Sequence, residues 1–245
     1  MAKNKVVTMC GVLIPRLSKR QIMSRVSKML YKKHFCHIVT LNPEILHNAY
    51  YDPCFAKVLN VAHIKVIDGT GIILAFLAHG VRSSKRITGI DLMWEIIETA
   101  AKHHLSIYLA TNINGLSTSI DVREIILQKY PHLEIIGADL DPASHKKPLI
   151  NADIILCNFG APHQEYFLHY YKKNPSRTSA RIGVGVGGAF DFVSGKVRRA
   201  PKTLQYIGCE WIWRLCKQPY RCKRIFTAVL VFPCIILYER LFGKS

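Results

Sequence analysis

Short apolar runs alternate with amphipathic stretches along most of this chain, and nearly every run is cut off by Gly, Asp, Asn or Pro. No other feature constrains the fold as much. The segments 6–14, 37–41, 64–67, 106–110, 133–136, 154–159 and 181–186 are predicted strands. Helices are predicted over 18–32, 44–48, 72–79, 89–103, 117–129 and 164–172. In the first helix Ile22, Val26, Met29 and Leu30 share a face; over 89–103 Ile90, Trp94, Ile97 and Ala101 do. Such alternation predicts an α/β fold, a mostly parallel sheet with helices on both faces. The chain has 245 residues, 49% of them hydrophobic, enough for one such domain with a sizeable core. Ligands of open parallel sheets bind outside the carboxyl ends of the strands. A site is therefore expected among the turns at 40–42, 68–69, 111–115, 160–164 and 187–191.

The alternation stops near residue 195. The expected organisation is an α/β domain over 1–195 and a basic, aromatic appendage over 196–245. Arg198, Arg199, Arg214, Lys217, Arg221, Lys223 and Arg224 cluster there, with Trp211, Trp213 and Tyr220 between them. The segment 225–238 then carries no charge. It is shorter than the roughly 20 residues a spanning helix needs, and Pro233 interrupts it, so an interfacial segment that docks without spanning is expected. Lys and Arg outnumber Asp and Glu by 34 to 16, a net charge of +18, which calls for an anionic partner. Basic residues among aromatics also suit single-stranded nucleic acid, but the apolar run does not. The eight cysteines form no C-x-x-C pair and mostly sit in apolar runs, as reduced thiols do. His34, Cys36 and His37 lack a completing zinc ligand nearby in sequence. Lys3 and Lys5 before an apolar run resemble a signal peptide, but no small-x-small cleavage site follows, so a first strand is expected instead.

Asp68 ends an apolar strand, where a carboxylate could take a proton from an acceptor hydroxyl, or simply make an Asp-Gly turn. Thr40 and Asn42 end another strand and could meet it. Gly160-Ala-Pro-His-Gln164-Glu165 opens a helix whose free amides suit a phosphate, with Gln164 able to read a uracil edge or a sugar hydroxyl. Residues 183–188 formally contain G-x-G-x-x-G, but no long helix can follow, which weakens a dinucleotide site. Asp139-Leu-Asp141 could hold a divalent metal or be a solvated turn.

Taken in order, T-L-N-P-E at 40–44, D-G-T-G at 68–71, R-I-T-G-x-D at 86–91, G-A-P-H-Q-E at 160–165, G-V-G-G-A-F-D-F-x-x-G at 185–195, R-A-P at 199–201 and E-W-I-W-R-L at 210–215 resemble the WecG/TagA/CpsF family, glycosyltransferase family 26. The resemblance spans nearly the whole chain. It implies a Rossmann-like domain whose C-terminal appendage meets the membrane. It implies inverting transfer of N-acetylmannosamine, its uronic acid or a related sugar from UDP to undecaprenyl-diphosphate-linked N-acetylglucosamine, in building a cell-surface polysaccharide or teichoic acid. Asp68 matches the family's base. Thr40, Asn42, Gly69, Arg86, Gln164, Gly187 and Asp191 fall at donor or acceptor positions, and Arg214, Arg221 and Arg224 at diphosphate-binding ones. The family is metal-independent, so no cofactor is expected and Asp139 and Asp141 lose weight as ligands. The implied partners are a UDP-sugar, a lipid-diphosphate-linked acceptor and the cytoplasmic face of the membrane, held peripherally; nucleic acid is not among them, and a homo-oligomer is allowed. This chain departs from the family in having Thr111-Asn-Ile-Asn-Gly115 for a Gly-Gly turn, Asp141-Pro-Ala for Gly-Tyr-Phe, and His163 for Lys. These departures bear on the donor sugar. The rival readings are an NAD-binding oxidoreductase using the glycine run and a nucleic-acid-binding protein using the charge. Neither accounts for the ordered strand-end motifs.

Overall fold

Six of the predicted apolar runs pair side by side into one parallel sheet. The computed structural model describes residues 6–32, 34–83 and 86–242, so Lys3 and Lys5 lie outside the described residues. The sheet contains β3 (Cys36–Leu41), β4 (Ile64–Ile67), β5 (Ile107–Asn112), β6 (Ile135–Leu140), β7 (Ile154–Cys157) and β8 (Ile182–Gly185) in the order β4-β3-β8-β7-β5-β6. Every pairing is parallel. Every residue of β3, β4, β7 and β8 is buried, as strands covered on both faces must be.

On one face, α1 (Lys19–Leu30), α5 (Gly89–Lys102), α6 (Ser119–Lys129) and the short α8 (Ala189–Val193) close a core around Ile38, Val66, Leu109 and Val184. In α1 the buried residues are the expected Ile22, Val26, Met29 and Leu30. In α5 the buried face is Leu92, Met93, Ile96, Ile97 and Ala100, while Ile90 and Trp94 are only partly covered. The predicted stripe was off by part of a turn, because α5 packs on both the sheet and α8. The other face carries α2 (Pro43–Tyr51), α3 (Pro53–Asn60), α4 (Thr70–Ala78) and α7 (His163–Lys173). Helix α3 was not expected, although Asp52 caps it by accepting from the Cys54 and Phe55 amides and Pro53 occupies its first turn.

Two strand expectations are corrected. Residues 6–14 are a hairpin of β1 (Val6–Met9) and β2 (Val12–Pro15), not one strand. Cys10 and Gly11, at φ 53° and 71°, make the two-residue turn that matches strand twist. The strand expected at 133–136 begins at Ile135 and runs to Leu140, drawn on by its register with β5.

The appendage folds as α9 (Lys202–Tyr206), α10 (Glu210–Lys217), α11 (Cys222–Phe226), a π turn Thr227–Val231 and α12 (Phe232–Phe242). The π turn lies just before Pro233, which lacks the amide a regular turn would use there. Cys222–Phe242 is thus one 21-residue helix with an 18-residue stretch of mean hydropathy 1.9, long and apolar enough by composition to cross a membrane. The expectation that 225–238 is too short to span counted only the uncharged residues, whereas the helix continues at both ends. Its inner face is already committed. Phe232, Ile235 and Ile236 are buried in the same core as Val39, Leu41, Ile72 and Phe76, and the Glu239 carboxylate accepts from the Cys10 amide at 3.0 and 3.1 Å. A bilayer could take up that face only if the core opened.

Candidate active site

Asp68 stands one residue beyond β4, its amide bonded to the Leu41 carbonyl at 2.8 Å. The end of β4 is thereby tied to the end of β3. Oδ2 accepts from the Gly89 amide at 3.1 Å, the first helical amide of α5, where the helix dipole favours negative charge. A side chain at Gly89 would crowd the spot, since a Cβ there would lie 3.3 Å from the Val186 carbonyl and 3.5 Å from Oδ2. Burial raises the Asp68 pKa above the ordinary carboxylate value. The Gly89 amide and the guanidiniums of Arg214 and Arg86 work against that rise, and Glu210 adds to it. A half-buried carboxylate held this way can take a proton from a neighbouring hydroxyl.

Thr40, Asn42 and Gly69 do gather around Asp68, but their first duties are structural. Thr40 is buried and donates to the Gly185 carbonyl at 2.7 Å, joining β3 to β8. Asn42 caps α2 by accepting from the Ile45 amide at 2.9 Å. A Cβ on Gly69 would lie 2.5 Å from the Pro43 ring, so the two turns pack in direct contact.

Gln164 is only 2% exposed, and both ends of its amide are spent. Oε1 accepts from the Gly160 and Gly187 amides at 3.2 and 3.1 Å, and Nε2 donates to Glu165 at 2.7 Å. It clamps the turns after β7 and β8 together rather than offering a free edge to uracil, which revises the expectation. Gly187, at φ 52°, provides the left-handed turn that brings its amide to the clamp. The glycine run is explained the same way. A Cβ on Gly185 would lie 2.6 Å from Gln164 Nε2, and one on Gly183 2.3 Å from the Phe35 ring. Those glycines admit side chains of the protein itself. Glu165 is fully buried, with Oε2 unpartnered among the described residues, and burial raises its pKa to about 8 against the lowering effect of Gln164.

The appendage brings one arginine to each of three strand ends. Arg214 lies within electrostatic reach of Asp68 and stacks on Phe192, its guanidinium carbon 4.8 Å from the ring centroid. Arg221 faces Asp191 at 3.9 Å, beside the Gly187-Gly188 turn. Asp191 also accepts from Ser117 Oγ at 2.8 Å. Arg224 bonds Glu44 at 2.7 Å in the first turn of α2. Arg86, expected at a donor or acceptor position, acts electrostatically on Asp68 and is engaged within the protein. It pairs with Glu210, the first residue of α10, both side chains being largely buried. Glu210 also faces Arg199 at 3.6 Å, and Arg199 bonds Asp91 at 2.9 Å and Thr88 at 3.2 Å. Thr70 donates to the Gly208 carbonyl at 3.0 Å. These contacts hold the appendage over the carboxyl ends of the strands.

Sequence reasoning assigned no role to Glu210, Phe192 or Glu44, and placed Arg199 only in the basic cluster. Glu210 opens the E-W-I-W-R-L motif one turn before Arg214, and that spacing was the available signal. Asp139 caps α6 by accepting from the Ser119 amide at 2.7 Å, and Asp141 closes its own turn through the Ala143 amide at 2.9 Å. His34 and Cys36 meet His63 rather than His37, with ligand atoms within 4.8 Å of one another. His63 Nδ1 already accepts from the His37 amide at 3.1 Å, which sets that ring against metal binding. Two of the departures, Pro142-Ala143 and His163, line one surface cavity of about 430 Å³ with His145, Lys147 and Tyr166.

The chain matches the Glycosyl transferase WecG/TagA/CpsF family over residues 7–245. It is 30% identical over 200 residues to an N-acetylglucosaminyldiphosphoundecaprenol N-acetyl-beta-D-mannosaminyltransferase of Bacillus subtilis (strain 168), covering 78% of this chain and 75% of that one. A protein of the same name from Bacillus spizizenii (strain ATCC 23059 / NRRL B-14472 / W23) is 28% identical over 213 residues, covering 84% and 81%. Another from Staphylococcus aureus (strain MRSA252) is 29% identical over 187 residues, covering 72% and 70%. Strand-end turns, a half-buried carboxylate and an arginine-bearing appendage thus sit on a chain that belongs to the WecG/TagA/CpsF family of glycosyl transferases.

Proposed function

We propose that this protein transfers N-acetylmannosamine or a close relative from a UDP-sugar to N-acetylglucosamine carried on undecaprenyl diphosphate, at the cytoplasmic face of the membrane. One observation carries the reading: Asp68 sits at the carboxyl end of the sheet, held by the Gly89 amide, with an appendage arginine bearing on it. The names of the relatives support the acceptor and the sugar. The reaction is a single displacement with inversion. Asp68 takes the proton of the acceptor hydroxyl while that oxygen bonds to the anomeric carbon. The bond from that carbon to the UDP oxygen breaks, and UDP leaves with the electron pair. Arg214, Arg221 and Arg224, now on Asp68, Asp191 and Glu44, are the cations to take up the charge of the two diphosphates. No step uses a metal. The outer face of the C-terminal helix rests on the bilayer.

The test is a transfer assay with a panel of UDP-sugars and a synthetic lipid-diphosphate acceptor, with and without EDTA. Transfer from UDP-N-acetylmannosamine unaffected by EDTA is expected. Absence of transfer from every UDP-sugar, or its loss with EDTA, would overturn the proposal.

A further inference from the structure

Helix α4 begins two residues after Asp68 and carries no charged residue from Thr70 to Ala78. Its inner face is spoken for: Ile72, Ala75 and Phe76 are buried in the core. Its outer face is not. Leu74 is 64% exposed and Leu77 52%, one turn apart on the same side. The C-terminal helix packs directly alongside, since a Cβ on Gly71 would lie 3.7 Å from the Ala228 carbonyl and 3.8 Å from the Phe232 ring. That helix also turns its apolar residues outward: Phe226, Leu230, Leu237 and Leu241 are all more than half exposed, opposite buried Phe232 and Ile236. Exposed leucines on two adjoining helices are uncommon on a protein with nothing to cover them. Exposed Lys223 and Arg240 lie near the two ends of the C-terminal helix, and exposed Arg82 lies four residues beyond the end of α4.

We propose that Leu74 and Leu77 of α4 form, with the outer face of the C-terminal helix, a two-helix platform that seats on an anionic lipid bilayer. The inference rests on the membrane-bound acceptor of the proposed function and adds a part of the catalytic domain to the contact. Charge decides the occupant. A second copy of a chain of net charge +18 would bring cation against cation at the rim, whereas acidic headgroups answer the rim and acyl chains answer the leucines. Position gives the platform its use. Leu74 lies four residues into a helix that starts next to Asp68, about 6 Å along its axis. The base is thereby kept close to the bilayer, where a sugar two phosphates away from a lipid would present its hydroxyl. Helix α4 sets the depth and tilt of the site, which a single amphipathic helix free to roll could not.

The experiment is co-sedimentation with vesicles of equimolar phosphatidylglycerol and phosphatidylcholine, and with phosphatidylcholine alone. The unaltered protein is compared with Leu74→Glu/Leu77→Glu and with Leu237→Glu/Leu241→Glu. Both double variants are expected to lose roughly tenfold or more in partitioning to the anionic vesicles. Carbene footprinting of the unaltered protein should show Leu74 and Leu77 shielded by those vesicles, a readout independent of any variant's folding. Unchanged labelling, or Leu74→Glu/Leu77→Glu binding as the unaltered protein does while Leu237→Glu/Leu241→Glu fails, overturns the role of α4 and leaves the transferase reading standing. An unaltered protein that ignores both vesicles overturns the membrane contact altogether. A dimer in light scattering that Leu74→Glu/Leu77→Glu breaks, without vesicle binding, assigns the platform to a second copy and likewise overturns it.

Discussion

The strand-end turns and the appendage meet at the carboxyl end of the sheet, yet they contribute different things. On the sheet side the polar groups are already used by the protein: Thr40 on the Gly185 carbonyl, Asn42 on the Ile45 amide, Gln164 on Gly160, Gly187 and Glu165. On the appendage side two arginines face carboxylates of the sheet side: Arg221 with Asp191 and Arg224 with Glu44. Carboxylate partners hold arginines in place and can be exchanged for phosphate oxygens at little cost in hydrogen bonding. The sheet supplies fixed geometry and the appendage supplies movable positive charge. Asp68 is the point where both act on one group, through the Gly89 amide and through Arg214.

Removing that shared point should have the largest effect. Asp68→Asn keeps the shape and the Gly89 contact but cannot take a proton, so turnover should fall by roughly 10²–10⁴-fold. UDP binding, measured by calorimetry, should be unchanged. Near-normal turnover would remove Asp68 from the mechanism. Arg214→Met should cost somewhat less, on the order of 10²-fold. It should also move the acid limb of the pH profile. Arg214 holds the Asp68 pKa down against burial, so without it that pKa rises and the base is lost at a higher pH than before. An unmoved acid limb would show that Arg214 acts on the substrates alone.

A smaller effect is expected at the joint between the two regions. Arg86→Glu and Glu210→Arg each place like charges together in a largely buried pair. Either should speed proteolytic release of the appendage by roughly tenfold or more, about 1.4 kcal/mol or above. The double exchange should recover part of the docking and of the turnover, since the cation it leaves at position 210 still faces Arg199. Recovery of neither would mean that the pair does not hold the appendage.

The comparison also explains what could be read from the sequence. The sheet side was legible because its determinants are local: an apolar run, then Asp68-Gly69, Asn42-Pro43 or Gly160 to break it. The capping of α3 by Asp52 is just as local, with Asp52-Pro53 carrying its signal in the sequence. The joint was not legible. Arg86 and Glu210 are 124 residues apart, and nothing near Arg86 shows that its charge is already answered. For the same reason a Gln at a strand end read as a ligand group, when its partners are amides contributed by two separate turns. The glycine run misled in the opposite way, since a dinucleotide and the side chains of Phe35 and Gln164 ask the same absence of Cβ.

The mildest test isolates the rigid side alone. Glu165 accepts from Gln164 through Oε1 while Oε2 is buried without a partner among the described residues, and burial raises its pKa from 4.5 to about 8. A carboxyl raised on folding favours the native state most below its unfolded pKa. That contribution fades as pH rises through the folded one. The window for this residue therefore runs from pH 4.5 to about 8. Glu165→Gln keeps an oxygen for Gln164 and removes the ionisation. Across that window the unfolding temperature of the unaltered protein should fall relative to the variant, by roughly 2–4 °C for each kcal/mol of linkage. Above it the variant should be the more stable of the two. Parallel curves would mean that water or a neighbouring donor reaches Oε2 and that the clamp carries no buried proton. In that case the sheet side, too, holds charge that can move.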